Sequence, residues 1–291
     1  MKLALLAALW CAAACAQELA TATIGKIATG LRFTEGAAWS KEGYLIFSDT
    51  PNDRLMKWLP GHMVEVFREN ANGPAGNAFD AQGRLYTCET RARRITRTGR
   101  DGKVEVVADR WEGKRLNAPA AIAIARSGHI YFTDPAFGYQ QDSRELDFYG
   151  VYHIPLKGPM TLVARLTGRP HGVAVSPNGK LLYVSDADEH NVRAYDLDRN
   201  GDASGERVFF SQIAGVPAGL AADDAGNLYV AANGVAICSP EGHLLHAITM
   251  SVPVSSVAFG EADLKSLFAT ARGSVYRLRA EPNGDRLKTA K

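Results

Sequence analysis

One phrase recurs six times along the 291-residue chain: a small-residue segment, a Gly-containing turn, then an apolar strand ending on a polar or small residue. The copies open at Phe33-Thr-Glu-Gly, Pro74-Ala-Gly-Asn, Pro119-Ala-Ala-Ile, Pro170-His-Gly-Val, Pro217-Ala-Gly-Leu and Pro253-Val-Ser-Ser. Their equivalent positions are Glu35, Ala75, Ala120, His171, Ala218 and Ser255, spaced 37 to 51 residues apart. A repeat of that length, built of several short strands, cannot bury its own faces. Copies stacked around an axis bury each other. The repeats therefore predict an all-β, six-bladed β-propeller with four-stranded antiparallel blades.

Within each copy, Leu45-Ile-Phe-Ser, Leu85-Tyr-Thr-Cys, Ile130-Tyr-Phe-Thr, Leu182-Tyr-Val-Ser, Leu228-Tyr-Val-Ala and Leu267-Phe-Ala-Thr read as second strands after Gly-containing turns. The small-residue segments before them, such as residues 120–125, suit innermost strands, where large side chains from six blades would collide near the axis. Third strands follow, and Ser274-Val-Tyr-Arg-Leu leaves the sixth blade one strand short. Residues 20–28 are expected to supply it, pairing the N-terminal and C-terminal strands and leaving no long open sheet edge. Because the six equivalent positions begin inner strands, they are expected to converge on one mouth of the central channel.

The chain begins with Lys2, an apolar run over residues 3–15 and Ala14-Cys15-Ala16 before Gln17. That pattern reads as a signal peptide over residues 1–16, with export to the periplasm or outside the cell. The run is shorter than the roughly 20 residues a membrane-spanning helix needs, so no membrane span is expected after its removal. Lipidation at Cys15 is the alternative. Residues 17–291 hold one propeller domain, expected to be a monomer. With 33 basic and 31 acidic residues interspersed, the net charge of +2 argues against a nucleic-acid footprint. Arg91, Arg93, Arg94, Arg97 and Arg100 cluster in the second repeat and read as a solvated blade face. Cys88 and Cys238 fall in distant repeats and are expected to be buried free thiols. Asp196-Leu-Asp-Arg-Asn-Gly201 imitates half of a Ca²⁺ loop, but Arg207 stands at the closing ligand position, so it reads as a turn.

Phe33-Thr-Glu-Gly, Leu116-Asn-Ala-Pro, Tyr131-Phe-Thr-Asp-Pro-Ala-Phe-Gly, Ser176-Pro-Asn-Gly-Lys-Leu-Leu-Tyr-Val-Ser-Asp and Asp224-Ala-Gly-Asn-Leu-Tyr-Val together resemble the gluconolactonase and regucalcin family of six-bladed propellers. The resemblance implies a lactone hydrolase holding one divalent metal, often Ca²⁺, at the channel mouth. Of the family's ligand positions, the Glu is kept as Glu35. The Asn falls on His171 and the Asp on Ala218. The family's substrate-facing Asn-Asp pair falls on Ala120 and Ala121, and a further Asn falls on Ala75. Alanine offers no side-chain oxygen, while Ca²⁺ takes six to eight. What survives is a weak metal pair, Glu35 and His171, better suited to a transition ion than to tight Ca²⁺ binding.

Glu35 and His171 are thus the candidate catalytic residues, with His171 as general base and Glu35 as its acidic partner. Asn117, Tyr139 and Asp186 are candidate substrate-binding residues, Tyr139 because residues 137–148 form a long aromatic-bearing loop that could cover the mouth. Asp49, Asp134 and Asp186 end second strands, and their recurrence also fits a shared structural task of accepting backbone N–H bonds. Two readings stand open. One is a hydrolase of a lactone or ester of a small polar, sugar-acid-like substrate. The other is a non-catalytic propeller that binds a small molecule or a protein partner.

Overall fold

The computed structural model describes Leu19 and residues 22–279, with the side chain of Tyr139 outside the described set. The signal peptide expected over residues 1–16 also lies outside it.

Six four-stranded antiparallel sheets follow one another around the chain. Their inner strands are Thr34–Ser40, Pro74–Phe79, Ile122–Ile124, Pro170–Val175, Leu220–Ala222 and Ser256–Gly260. Each pairs with the second strand expected from the sequence: Tyr44–Asp49, Leu85–Glu89, Ile130–Asp134, Leu181–Asp186, Leu228–Ala232 and Ser266–Ala271. The ring closes as the termini predict. Thr23–Ala28 pairs with Ser274–Arg279 as the outer strand of the sixth blade.

The recurrent Leu/Ile-Tyr of the second strands has a packing cause. Successive strand residues point to opposite faces, and a blade inside a ring has neighbours on both, so both residues are buried. Leu228 and Tyr229 are fully buried this way, and Ile130 and Tyr131 are buried likewise. Tyr229 and Ile237 of the fifth blade pack with Val257 and Leu267 of the sixth. Burying each such side chain stabilises the ring by about 1.5–3 kcal/mol. Cys88 and Cys238 sit inside these layers as buried free thiols.

The glycine of the motif holds neighbouring inner strands at a separation no side chain would allow. A Cβ on Gly36 would collide with the Ala75 carbonyl, and one on Gly172 with the Ala218 carbonyl. At this approach the backbones bond directly: Gly76 N donates to Ala120 O at 2.7 Å and Gly219 N to Ser255 O at 2.9 Å. The strand starts are thereby drawn together around the mouth.

The five clustered arginines are each paired with a carboxylate: Arg91 with Asp53, Arg93 with Glu145, Arg94 with Glu89, Arg97 with Glu105 and Arg100 with Glu42. No bare cationic patch remains there. At the Ca²⁺-loop mimic, Asp198 Oδ1 accepts from Asn200 N at 2.8 Å and Asp202 N at 2.9 Å, an ordinary Asx turn.

Candidate active site

A cavity of about 670 Å³ opens at the end of the channel where the inner strands begin. All six equivalent positions identified in the sequence line it: Glu35, Ala75, Ala120, His171, Ala218 and Ser255. Residues from all six blades thus meet in one chamber, because the repeat places the same backbone position at the axis each time.

Glu35 begins the inner strand of the first blade and is half-buried, facing the cavity. Burial pushes its carboxyl up to about 7, opposed by its hydrogen bond with Thr50. Thr50 Oγ1 lies 2.9 Å from Glu35 Oε1 and 2.6 Å from Pro74 O. His171 begins the inner strand of the fourth blade. Burial, and secondarily the charge of Arg169, pull its imidazole down to about 4, leaving it neutral at pH 7. The Phe137 ring meets His171 edge-on at 5.4 Å, and the Arg169 guanidinium lies 5.0 Å from that same ring while bonding Asp188.

These shifts reverse the roles read from sequence. An imidazole held near 4 is a poor general base at neutral pH, whereas a carboxyl held near 7 is matched to that task. The physical reason is shared: desolvation disfavours whichever form is charged, raising an acid and lowering a base.

The other candidates divide. Asn117 does not line the cavity. It is buried, with its N–H on Asp134 Oδ2 at 2.7 Å and its side-chain amide donating to Phe148 O at 2.9 Å. Asp186 is also absent from the wall. It accepts from Asp188 N and Glu189 N, each at 3.1 Å, and from Arg193. Asp49 accepts from Arg32 N and Phe33 N, and Asp134 from Asn117 N and Ala118 N, so the shared structural task of these aspartates holds. The loop that carries Tyr139 forms a 3₁₀ turn, Gly138–Ser143, and lends Phe137 and Gln140 to the wall.

Sequence reading missed Phe33, Val216 and Arg272, which also line the chamber. A signal for Arg272 was present. Thr50, Thr90, Ala187 and Arg272 each follow directly on a second strand, and all four line the cavity.

Residues 33–273 match the SMP-30/Gluconolactonase/LRE-like region. The chain belongs to that family. Among its relatives, the gluconolactonase of Zymomonas mobilis is 31% identical over 89% of this chain and 81% of its own length. A gluconolactonase from Xanthomonas campestris superposes with a TM-score of 0.84 at 32% identity, covering 89% of this chain and 90% of that one. Regucalcin of Agrobacterium tumefaciens, a calcium-binding protein, superposes with a TM-score of 0.75 at 18% identity, over 88% and 92% of the two chains, a likeness of fold. In this family member, among the described residues, no group of three or more His, Cys, Asp or Glu side chains is placed to hold a metal. Nor is any described helix long and apolar enough to cross a membrane.

Proposed function

We propose that the protein hydrolyses a lactone or related ester, with Glu35 as general base and His171 as hydrogen-bond donor to the carbonyl. The observation that carries the reading is that these two side chains line one cavity in a chain of the SMP-30/Gluconolactonase/LRE-like family. Glu35 takes a proton from a water molecule as the water oxygen bonds to the carbonyl carbon. The His171 ring N–H donates to the carbonyl oxygen as negative charge develops there. The ring C–O bond then breaks as the carbonyl re-forms, and the proton held on Glu35 passes to the departing oxygen. Lactone plus water gives a hydroxy acid, and the Glu35 carboxylate is restored.

The divalent cation implied by the regucalcin branch fits these residues poorly. A hard cation needs oxygen donors, and Ala75, Ala120 and Ala218 provide none from their side chains, while Glu35 is engaged by Thr50. The steps above therefore use protein groups alone. Export is part of the reading, supported by the pattern of residues 1–16.

Assay of a lactone panel tests the function. Glu35→Gln is expected to lower kcat/KM by about 10²–10⁴-fold and His171→Ala by about 10–10²-fold. Full activity in both variants removes the assignment. A cavity that binds lactones without opening them supports the non-catalytic alternative instead.

A further inference from the structure

We propose that the substrate is an amphiphilic anion, an apolar-bodied lactone or ester bearing one carboxylate or similar group, and that Arg272 receives that charge. The inference rests on the hydrolase reading for the reaction but not for the binding.

Beyond Glu35, His171, Gln140 and the arginines, the chamber offers few polar groups to a substrate. Alanines stand at three of the six strand starts, and Phe33, Phe137 and Val254 complete an apolar wall. The hydroxyls that face it are already committed. Thr90 Oγ1 donates to Gly73 O at 2.9 Å, Ser255 Oγ bonds Thr34 O at 2.6 Å, and Thr50 Oγ1 is shared between Pro74 O and Glu35. A sugar lactone entering here would lose water from several hydroxyls without finding partners, a penalty an alkyl or aryl body does not incur. An apolar body gains by the same burial.

Charge at the mouth is also selective. Arg91 pairs with Asp53, and Arg169, beside Phe137, pairs with Asp188. Arg272 also lines the cavity, yet its guanidinium has no ion pair or hydrogen bond among the described residues. Its backbone is fixed nonetheless. It holds a left-handed conformation at φ 52°, and its carbonyl accepts both Thr34 N at 2.6 Å and Thr34 Oγ1 at 3.0 Å. A pinned base carrying an unpartnered fork of donors at the edge of an apolar chamber is complementary to a planar anion.

The test compares three probes: glucono-δ-lactone, an alkyl-substituted γ-lactone, and the same γ-lactone with its alkyl chain ending in a carboxylate. The native protein is expected to prefer the carboxylate-tipped probe over its neutral twin by about tenfold in kcat/KM. It should turn over glucono-δ-lactone least well of the three. In Arg272→Gln the preference falls towards one, and in Arg272→Lys part of it returns. Added salt shrinks the preference in the native protein. An unchanged ratio in Arg272→Gln, or a clear preference for glucono-δ-lactone, overturns the inference while leaving the hydrolase reading intact. If no probe is hydrolysed, titration calorimetry with the corresponding carboxylate-tipped lactam decides. Binding weakened about tenfold in Arg272→Gln keeps the inference as the hydrolase reading falls, and equal affinity overturns it.

Discussion

Thr50 stands between Glu35 and the Pro74 carbonyl with one hydrogen to give and two oxygens within reach, at 2.9 Å and 2.6 Å. A carbonyl cannot donate. The hydroxyl does, so its one hydrogen is divided between the Pro74 carbonyl and the Glu35 carboxylate. Donation from Thr50 favours the carboxylate and lowers its pKa, while burial, the larger effect, pushes it up.

The first prediction concerns the rate profile. kcat/KM is expected to rise with pH through about 7, as Glu35 becomes a carboxylate able to take a proton. In Thr50→Val the carboxylate loses this donor, so the midpoint moves up. An unchanged midpoint shows that the Thr50 hydrogen rests on Pro74 O instead.

Stability should carry the same signature. Glu35 has its folded pKa raised from 4.5 to about 7, so between those values the folded chain holds more protons than the unfolded one. Stability contributed by this group is present below that window and is lost as pH rises through it. His171, lowered from 6.5 to about 4, acts oppositely, its contribution being lost as pH falls through its window. Chemical denaturation of Glu35→Gln against the native protein reads the first effect. The variant's relative stability should grow by on the order of 1–3 kcal/mol between pH 5 and pH 8. A constant difference contradicts the raised pKa.

Calcium provides a third test. Millimolar Ca²⁺ is expected to leave the Tm of the native protein nearly unchanged. A site saturated at a hundred times its Kd would add about 2.7 kcal/mol and shift Tm by several degrees. The double variant Ala218→Asp, His171→Asn adds two oxygen donors to the cavity that Glu35 lines and should acquire a Ca²⁺-dependent rise. A large shift in the unaltered protein overturns the donor argument.

The fourth prediction addresses the ring itself. Gly172→Ala places a methyl group against the Ala218 carbonyl, which belongs to the next blade's backbone and cannot move aside freely. A loss of about 2–4 kcal/mol is expected in urea denaturation. The exposed turn glycine Gly179 has open space around its Cβ position, but its φ of 71° still disfavours a side chain. Gly179→Asn should cost less than Gly172→Ala, because asparagine tolerates that conformation.

Legibility followed the repeat. The second strands, the closing strand at Thr23–Ala28 and the placing of Glu35 and His171 on one cavity were all readable, because a repeated register assigns each residue a place on the axis without contact information. The roles of Asn117 and Asp186 were not. Their side chains turn away from the chamber into backbone hydrogen bonds, and side-chain direction at a strand end depends on which N–H groups the next loop presents.

The sequence by itself determined the architecture, the number of blades and the alanines at three of the six equivalent positions of the mouth. These are properties of periodicity and residue type, and both are written in the order of the chain. Tertiary structure alone decided how burial moves the two titratable groups at the mouth and which arginine of the cavity wall has no partner for its guanidinium among the described residues. A pKa depends on how much water the fold removes from around the group, and an ion pair on which strands it brings side by side. Glu35 and Thr50 meet as soon as the first blade's hairpin pairs, but Arg272 and the apolar wall become neighbours only when six blades close into a ring.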